Sequence, residues 1–578
     1  MRIAILKKED CHPEKCGNYL CERICPVNRT GKECIVQGED RKAFINTELC
    51  TGCGICPKKC PFDAITIVNL PESLKEQCVH QFGDKNGFTL FRSPIPIPKQ
   101  VVGLLGQNGT GKTTALQIIE GGLKANLGTD HEATKEELSK FFAGSELQGY
   151  FANINKKKMA YKPQYVDKIP KMFKGKVKEL LKKVDETKNL DNIAKEIGIE
   201  NILDSEVSKI SGGELQKVAI AACLLKDADI YFFDEPSSYL DIKERLKIAK
   251  IIRKLAEKKL VLIIEHDLII LDYLADLAHI FYGKPGAYGI VSHPKSIKEG
   301  INSYLEGFLQ EENVQFRETP LKFIVKAASD SKKLHTIVEF KDLTKKFKNF
   351  ALKVEKGAIH EKELIGVVGP NATGKTTFMK ILAGELKSDT GSLSKKIKIS
   401  YKPQYIKPDE DILVRIALKG VAQKVLLDLG LEKLLDRTLG ELSGGELQKV
   451  SIAKCLSADA DLYLLDEPSA HLDVEQRVNV ANVIRHSIED REKSAIIIDH
   501  DIMLLDYLSD RLMVFSGESG KTGEGKGPYT MKEGMNLFLK DLDITFRREE
   551  KTGRPRANKQ DSVKDREQKK KGEYYYVK

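Results

Sequence analysis

Eight of the twelve cysteines form two runs within the first 60 residues. The first run has the spacing C-x4-C-x4-C-x3-C-P, and the second has C-x2-C-x2-C-x3-C-P. The second spacing is typical of small electron carriers that hold iron–sulfur clusters through thiolates. Metal binding is therefore favoured over disulfide bonds for these residues. The eight are Cys11, Cys16, Cys21, Cys25, Cys50, Cys53, Cys56 and Cys60.

The two runs are expected to exchange ligands, because in two-cluster ferredoxins the fourth cysteine of each run binds the other cluster. Zinc is the alternative metal for such thiolates, but the Cys-Pro endings and the crossed pairing favour iron. Cys34 and Cys78 receive no ligand role, and Cys223 and Cys455 are predicted to be buried. The two predicted [4Fe–4S] ligand sets are Cys11, Cys16, Cys21 and Cys60, and Cys50, Cys53, Cys56 and Cys25.

Two glycine-rich segments, GQNGTGKTT at 106–114 and GPNATGKTT at 369–377, have the composition of phosphate-binding loops (P-loops). Such a loop uses glycines so that backbone N–H groups can wrap the phosphates, a lysine for the β- and γ-phosphates, and a hydroxyl on Mg²⁺. The second loop has Ala372 where the first has Gly109, and both are predicted to bind ATP. The predicted ATP-binding residues are Gly106, Asn108, Gly109, Gly111, Lys112, Thr113 and Thr114, then Gly369, Asn371, Gly374, Lys375, Thr376 and Thr377.

Acidic and polar side chains at predicted strand ends supply the other parts of a phosphoryl-transfer site. Glu235 and Glu467 are predicted to orient and polarise the attacking water. His266 and His500, each after another apolar strand, are predicted to sense the γ-phosphate. The predicted Mg²⁺ ligands are Thr113, Gln164 and Asp234 in the first half and Thr376, Gln404 and Asp466 in the second.

Phe88 and Phe350 are candidates for stacking on adenine, since they lie 24 and 25 residues before the two P-loop lysines. The alternative is that both rings are ordinary core aromatics.

The elements that position these residues occur twice. Five segments recur in the same order: the P-loop, YKPQY, SGGELQKV, the DEPS segment and the apolar strand before each histidine. Each P-loop follows an apolar strand and precedes a helix, which predicts an α/β fold with a parallel sheet covered on both faces. The chain therefore carries two copies of one ATPase domain.

The first copy contains an insertion of about 23 residues, because Lys112 precedes Gln164 by 52 residues whereas Lys375 precedes Gln404 by 29. Apolar residues on either side of Gly144 predict two short amphipathic helices there. An element confined to one copy is interpreted as a partner-binding element.

The order of P-loop, glutamine, SGGELQ, DEP and histidine resembles the ATP-binding-cassette (ABC) superfamily. That resemblance implies two ABC domains arranged head to tail. It implies that Ser211 and Gly213 close on ATP held by Lys375. It likewise implies that Ser443 and Gly445 close on ATP held by Lys112.

Composition limits the remaining possibilities. The chain has 578 residues, a formal net charge of +10 and 31% charged residues. No stretch approaches the roughly 20 apolar residues of a membrane span, so a cytoplasmic protein without a membrane partner is expected. The basic end of the chain indicates either contact with RNA or a solvated, disordered tail.

Over essentially its whole length the chain resembles the ABC-E subfamily of ribosome-recycling ATPases, also called the RNase L inhibitor family. The shared segments include CTGCGICPKKCPF, TIVNLP, GSELQGYF, YKPQYVDKIP, DEPSSYLD and RPRANK. The predicted domains are a ferredoxin-like iron–sulfur domain at 1–75, a first ABC domain at 76–285 with the insertion near 130–157, a hinge at 286–335, a second ABC domain at 336–522, and a second hinge with the basic tail at 523–578.

The resemblance implies a monomer that uses ATP, Mg²⁺ and two [4Fe–4S] clusters. ATP-driven closure of the ABC domains would move the iron–sulfur domain against the small ribosomal subunit and split the ribosome. The implied partners are ribosomal RNA, a release factor or stalled-ribosome rescue factor, and initiation factors. The competing hypotheses are a transporter ATPase subunit, which does not explain the clusters, and a redox-coupled enzyme, for which no flavin motif or substrate pocket is evident.

Overall fold

The computed structural model describes residues 2–38, 40–47, 49–69, 72–83, 86–321, 335–394, 397–404, 406 and 409–576. The chain folds into two compact units. Unit 1 comprises Met1–Pro236, Lys250–His266 and Leu274–Thr319, and unit 2 comprises Ser237–Ala249, Asp267–Tyr273 and Pro320–Lys578. Residues 322–334 of the predicted hinge lie outside the described residues.

Unit 1 begins with the cysteine-rich module. Two antiparallel strand pairs frame two short helices, and the last cysteine of each run, Cys25 or Cys60, caps the C-terminus of one helix. Five of the buried core residues of this module are cysteines, so thiols make up a large part of its interior beside the aliphatic side chains. The strands are Arg2–Leu6 paired with Ile65–Asn69 and Ile35–Gln37 paired with Ala43–Ile45, and the helices are Leu20–Ile24 and Ile55–Lys59.

The first large sheet places the P-loop strand Val101–Gly106 at its centre, where every residue is buried. Apolar runs of this kind need helices on both faces, as the sequence indicates. The five strands from Leu277–Lys284 to Met159–Lys162 are parallel, as predicted. The order is Cys78–Gln81, Thr89–Phe91, Tyr288–Val291, Leu277–Lys284, Val101–Gly106, Leu260–Ile264, Ile230–Asp234 and Met159–Lys162, with Lys295–Ser296 beside Leu277–Lys284.

The far side of this sheet contains antiparallel pairs that the sequence reading did not anticipate, including Leu277–Lys284 with Tyr288–Val291. A short strand pair, Phe308–Leu309 and Val314–Gln315, follows. The α-helices between residues 112 and 306 are Lys112–Glu120, Lys135–Phe141, Glu146–Ala152, Ile169–Met172, Val177–Val184, Leu190–Ile197, Gly212–Leu224, Ile242–Ala256, Leu268–Leu274 and Ile297–Glu306. The first half of Ile242–Ala256 and most of Leu268–Leu274 lie in unit 2.

The insertion forms two helices, Lys135–Phe141 and Glu146–Ala152, on either side of Gly144. Thr134 caps the first helix by accepting the Glu137 N–H, so this end is fixed locally. The apolar side chains of the pair join the core that contains the P-loop helix Lys112–Glu120, and the charged faces point outward.

Unit 2 repeats the sheet around the P-loop strand Leu364–Val368, again fully buried. The order is Gly357–His360, Thr336–Lys346, Ala351–Val354, Thr522–Thr530, Arg511–Ser516, Leu364–Val368, Ser494–Ile498, Leu462–Asp466 and Ile399–Lys402, with Thr390–Leu393 beside Thr336–Lys346. The helices are Lys375–Leu382, Val414–Ala417, Gln423–Asp428, Gly444–Ser457, Val474–Asp490, Ile502–Leu508, Met531–Asp541 and Val563–Lys571.

The basic end of the chain is folded, which corrects the alternative of a disordered tail. Strands Phe546–Arg548 and Pro555–Ala557 pair, and helix Val563–Lys571 follows. Arg554 is completely buried and pairs with Asp272 at 2.9 Å. Arg554 is therefore engaged in an internal ion pair rather than displayed to solvent.

Among the described residues there is no helix with both the length and the apolar character needed to cross a membrane.

Candidate functional site

The P-loop of the first copy leads directly into helix Lys112–Glu120, so the N–H groups of the first turn face the loop. Lys112 Nζ donates to the carbonyls of Gly106 and Gln107 at 2.8 and 2.7 Å. The hydroxyl of Thr113 donates to Asp234 Oδ2 at 3.1 Å. Two of the predicted Mg²⁺ ligands are thus in contact at the end of a buried strand.

The second copy reproduces this arrangement. Lys375 Nζ donates to the carbonyls of Gly369 and Pro370, each at 2.7 Å, and Thr376 donates to Asp466 at 2.8 Å. Ala372, which replaces the glycine of the first loop, adopts the same left-handed backbone, with φ 56° against 77° at Gly109. The substitution therefore leaves the loop conformation intact.

Each predicted catalytic glutamate lies between the predicted glutamine and histidine. Gln164 Nε2 donates to Glu235 Oε1 at 2.7 Å, and His266 Nε2 lies 3.4 Å from the same oxygen. In the second copy Gln404 donates to Glu467 at 2.7 Å, and His500 lies 3.2 Å away. The sequence motifs therefore converge on one carboxylate in each copy.

Burial shapes the charge state of the acidic pair. It raises the pKa of Asp234 to about 6, with a further contribution from the charge of Glu235. Burial likewise raises the pKa of Asp466 to about 6. Burial also opposes ionisation of Glu467, but the close His500 ring and the hydrogen bond from Gln404 outweigh it and lower the pKa of Glu467 to about 2. That glutamate is consequently an anion at neutral pH.

A buried lysine and a glutamine that sequence reasoning left without a role fix the backbone of the acidic pair. Lys162 Nζ donates to the carbonyls of Asp234 and Glu235 at 2.8 and 3.1 Å, and Gln216 Nε2 donates to the Glu235 carbonyl at 2.8 Å. Lys402 and Gln448 make the same contacts to Asp466 and Glu467. Burial lowers the pKa of both lysines to about 8. The sequence could have indicated these roles, because the lysine recurs in both copies of YKPQY and the glutamine in both copies of SGGELQ.

Asp241 of the first copy is a further residue that the motif reading left without a role. Within unit 2 its Oδ2 accepts the backbone N–H of Asn371, a P-loop residue of the second copy, at 2.8 Å. The second nucleotide site is therefore bordered by an acidic side chain from the first repeat.

The SGGE serines cap helices at the protein surface. Ser211 accepts the Glu214 N–H at the start of helix Gly212–Leu224, and Ser443 does the same for Glu446 in helix Gly444–Ser457. Both serines are exposed, and Gly213 and Gly445 lie in the first turns. A solvent-facing helix N-terminus of this kind is suited to phosphate oxygens.

The candidate adenine aromatics pack on the P-loops. A Cβ placed on Gly111 would lie 2.8 Å from the Phe88 ring, and one on Gly374 would lie 3.0 Å from the Phe350 ring. Each ring has an exposed aromatic neighbour missed by sequence reasoning, Phe82 at 6.5 Å and Phe347 at 6.3 Å between centroids. Phe88 and Phe350 are half-buried, so one part of each ring packs in the core while another faces outward.

The first predicted cluster set surrounds a cavity. Cys11, Cys16, Cys21 and Cys60 line it together with apolar side chains such as Phe62. Burial raises the pKa of the Cys21 thiol to about 11, and a bound cation would stabilise its thiolate form. The donor set and its apolar surroundings fit a [4Fe–4S] cluster.

The second set gathers Cys50, Cys53 and Cys25 around Cys56, whose thiol pKa burial and these neighbours raise to about 12. No three Cys, His, Asp or Glu side chains of the described ranges are arranged to hold a single metal ion. A cubane cluster instead binds each thiolate to a different iron, so its ligands surround a volume rather than one point.

The remaining cysteines are buried. Cys223 and Cys455 lie inside helices Gly212–Leu224 and Gly444–Ser457, as predicted. Cys34, which received no role, neighbours Cys25 and Cys50 of the second set, and burial raises its thiol pKa to about 12. Cys78 lies in the first ABC sheet, away from both sets.

Comparison with known proteins places each part of the chain in a family. The ABC transporter model matches residues 97–238 and 352–470. The model described as a possible Fer4-like domain in RNase L inhibitor matches residues 1–33, and a 4Fe-4S binding domain model matches residues 43–66.

Two relatives are similar over the full length of the chain. An uncharacterised ABC transporter ATP-binding protein of Methanocaldococcus jannaschii is 51% identical over 592 residues, covering 100% of this chain and 98% of the relative. Translation initiation factor RLI1 of Saccharomyces cerevisiae is 44% identical over 599 residues, covering 100% and 98%.

Two solved structures are also similar over most of the chain. The ABCE1 chain in a model of ribosome-bound archaeal Pelota and ABCE1 has a TM-score of 0.94 at 51% identity, with 100% of this chain and 99% of that chain covered. A complex of the archaeal ribosomal stalk protein aP1 with the archaeal ribosome recycling factor aABCE1 gives a TM-score of 0.84 at 51% identity, with 87% and 100% covered.

Proposed function

Since the chain belongs to the RNase L inhibitor (ABCE1) family, we propose that it is an ATP-driven ribosome recycling factor that splits ribosomes into subunits after termination or stalling. The observation that carries the proposal is the full-length similarity to a ribosome-bound relative, at a TM-score of 0.94. The chain is an ABC-type ATPase, and its cofactors are [4Fe–4S] clusters and ATP with Mg²⁺.

In the proposed hydrolysis, the parts of each nucleotide site act mainly by position and charge. Lys112 and Lys375 bind the β- and γ-phosphates, and Thr113 with Asp234 and Thr376 with Asp466 hold Mg²⁺. Glu235 and Glu467 orient and polarise the attacking water. Their contacts with Gln164 and His266, and with Gln404 and His500, support this role.

The remaining site roles belong to the same proposal. Ser211, Gly213, Ser443 and Gly445 contact the phosphates of nucleotide bound by the opposite copy, and Phe88 and Phe350 stack on adenine. Shifting a two-state equilibrium from 1:99 to 99:1 requires about 5.5 kcal/mol of differential binding, which two bound nucleotides are able to supply. ATP binding thus closes the ABC domains, and hydrolysis reopens them.

The N-terminal module acts as a lever in this cycle. Its short strands and helices bury few aliphatic side chains, and cysteines make up much of its core. When bound, the clusters cross-link segments that are distant in sequence and stiffen a module too small to be rigid by packing alone. The lever pushes against the small ribosomal subunit and its RNA.

The proposal extends to partners and location. A release factor or stalled-ribosome rescue factor acts on the ribosome before this protein does, and initiation factors act after it. The protein works as a cytoplasmic monomer. The proposed boundaries are 1–75, 76–285, 286–335, 336–522 and 523–578, although strands Tyr288–Val291 and Thr522–Thr530 are hydrogen-bonded into the ABC sheets beside them.

The test follows ribosome splitting by light scattering with anaerobically prepared protein, ATP and a release factor. We expect the wild type to split ribosomes and the Glu235→Gln/Glu467→Gln double variant to bind ATP and remain on the small subunit. Intact ribosomes under every nucleotide condition would overturn the proposal. A rate of ATP hydrolysis that instead follows cluster reduction would favour a redox-coupled enzyme, and copurification with membranes would favour a transporter subunit.

A further inference from the structure

The two copies differ in the loop that carries the paired aromatics. In the second copy only Lys348 and Asn349 separate Phe347 from Phe350, whereas five residues separate Phe82 from Phe88. Residues 84 and 85 lie outside the described residues. The two described ends of this loop lie close together, because a Cβ on Gly87 would lie 1.5 Å from the Phe82 carbonyl oxygen.

Asn86, within this longer loop, is held by the cysteine-rich module rather than by the ABC sheet. Its side chain is buried, accepts the Ile45 N–H at 2.8 Å and donates to the carbonyls of Ile45 and Ala4 at 2.9 and 2.5 Å. Its backbone carbonyl accepts the Leu6 N–H at 2.9 Å. One residue thus contacts both strand pairs of the cysteine-rich module.

The same loop also faces the first nucleotide site. Phe82 is 39% exposed and lies beside Phe88, whose ring packs on the P-loop residue Gly111. The Phe82 N–H donates to the Phe88 carbonyl at 2.9 Å, so a backbone hydrogen bond connects the two aromatic positions. The loop therefore contacts the nucleotide site through its aromatic residues and the cysteine-rich module through Asn86.

A second contact also connects the cysteine-rich module with the first nucleotide site. Lys7 follows the strand Arg2–Leu6, and its side chain lies against Gly286, since a Cβ there would be 2.9 Å from Lys7 Cε. The Gly286 N–H donates to the carbonyl of the P-loop residue Gly109 at 2.9 Å. The cysteine-rich module is thus joined to both the loop of aromatics and the P-loop of the first copy.

We propose that Asn86 is the positioning residue that links nucleotide occupancy of the first site to the seating of the iron–sulfur domain. The inference rests on the proposed function in that it names how one ATP site controls the lever. When adenine orders Phe82 and Phe88, the loop fixes Asn86 and thereby the strands Arg2–Leu6 and Ala43–Ile45. By linkage, the seated iron–sulfur domain strengthens nucleotide binding at the first site by the same factor.

The second site has no equivalent connection within the described residues. Asn349, the asparagine of the shorter loop, is exposed, and no side-chain hydrogen bond of it is present in the described part of the chain. Nucleotide in the second site therefore acts on the lever without this direct contact.

The test measures hydrogen exchange at the Leu6 and Ile45 amides in the cluster-loaded, full-length protein without ribosomes. A Lys375→Ala background confines ATP to the first site, and a Lys112→Ala background confines it to the second. We expect ATP in the first site alone to slow exchange at both amides. In Asn86→Ala, exchange of the Ile45 amide without nucleotide should be faster by roughly tenfold, since this amide loses its hydrogen bond to the Asn86 side chain. The Leu6 amide keeps the backbone carbonyl of residue 86 as its acceptor. ATP should no longer change exchange at either amide. The same substitution should also lower the affinity of the first site for ATP.

Asn349→Ala is the matched control and should leave both amides and both affinities unchanged. If Asn86→Ala loses its clusters, Phe82→Ala perturbs the same linkage from the nucleotide side. It should keep the nucleotide-free exchange rates and lose the response to ATP. A normal ATP response in Asn86→Ala or in Phe82→Ala would overturn the inference. Because ribosomes are absent, this outcome is independent of whether the protein splits them.

Discussion

At the residue scale, both nucleotide sites place a non-glycine residue in a left-handed backbone conformation. Glu235 and Glu467 have φ values of 47° and 48°. Such conformations cost of order 1 kcal/mol or more and persist only where the surroundings enforce them. Here a lysine and a glutamine side chain both donate to the backbone carbonyl of each glutamate and so enforce its conformation. The strain aims each carboxylate at its glutamine and histidine.

The raised pKa of the two aspartates predicts an acid limit on magnesium binding. Protons compete with Mg²⁺ for Asp234 and Asp466, and both carboxyls have a pKa of about 6. The Mg²⁺ concentration for half-maximal ATP hydrolysis should rise about tenfold from pH 7 to pH 5, because the ionised fraction falls by that factor. Titrations of hydrolysis with Mg²⁺ at each pH measure this.

The magnesium requirement rises towards low pH because the pKa of each aspartate is raised. A carboxyl with a raised pKa becomes protonated as pH falls through about 6, and only its ionised form binds the metal. Glu467, whose pKa is lowered to about 2, stays ionised throughout and adds no transition in this window. A magnesium requirement that is constant from pH 7 to pH 5 would contradict the assignment of both aspartates.

The crossed cysteine sets predict which substitution removes which cluster. In Cys60→Ser the first set loses a ligand although Cys60 belongs to the second run, so about half of the bound iron should be lost. Iron content per protein and the electron paramagnetic resonance signal of the reduced protein measure this. Cys78→Ser, buried but outside both sets, should keep all the iron. Retention of both clusters in Cys60→Ser would contradict the crossed pairing.

Sequence repetition explains which site residues were predictable. Duplicated motifs point to Lys112 and Lys375, to the acidic pairs and to the glutamines, because the same chemistry recurs at the same spacing. Asn86 and Phe82 carry no such signal, since their roles depend on a loop that one copy alone possesses. Asp241 contacts Asn371 only through the tertiary arrangement of unit 2, which no local pattern encodes.

At the element scale, the inserted helix pair is part of the first core as well as a surface feature. Phe151 is buried and stacks on Phe142 with 5.1 Å between ring centroids. The hydroxyl of Tyr150 donates to the carbonyl of Ile119 at 2.8 Å, near the end of the P-loop helix. The pair therefore braces the helix that carries Lys112.

Phe151→Ala should lower the free energy of unfolding of unit 1 by about 3–5 kcal/mol, since it leaves a cavity under the pair. Urea unfolding measures this, and ATP hydrolysis at the first site should fall with it. Lys140→Ala, on the exposed face of the same pair, should change stability by less than about 0.5 kcal/mol. Equal stability of the two variants would show that the pair does not brace the core.

Element types were more predictable than their context. Apolar strands bounded by P-loops and Asp-Glu pairs indicate the parallel centre of each sheet, because strands buried on both faces must be apolar throughout. The folded C-terminal hairpin was not predictable from its composition. From the sequence alone, its arginines indicate a solvated basic tail. Their acidic partners are buried and come from distant parts of the chain, so no local pattern reveals them.

At the scale of the whole molecule, the sequence duplication also determines where the C-terminal hairpin makes its ion pairs in unit 2. Asp272 and Asp506 occupy equivalent places in the segments LIILDYL and IMLLDYL of the two copies. Arg554 and Arg556 each lie 2.9 Å from Asp272, and Arg548 donates to both oxygens of Asp506 at 2.5 and 2.8 Å. The C-terminal hairpin thus joins the same position of both repeats within one unit.

This arrangement predicts strong coupling between Arg554 and Asp272. Both side chains are completely buried, so Arg554→Met leaves a buried carboxylate with Arg556 alone and should destabilise unit 2 by about 3–5 kcal/mol. Arg554→Met/Asp272→Asn should recover much of that loss, because the completely buried carboxylate is removed together with its buried partner, and the Arg556 side chain that remains is partly exposed. Urea unfolding of the two single variants and the double variant gives the coupling energy. The exposed pair Lys398 and Asp459 is the matched control and should couple by less than about 1 kcal/mol. A coupling energy for Arg554 and Asp272 as small as that of the surface pair would mean that the hairpin packs on the first repeat without being held there by charge.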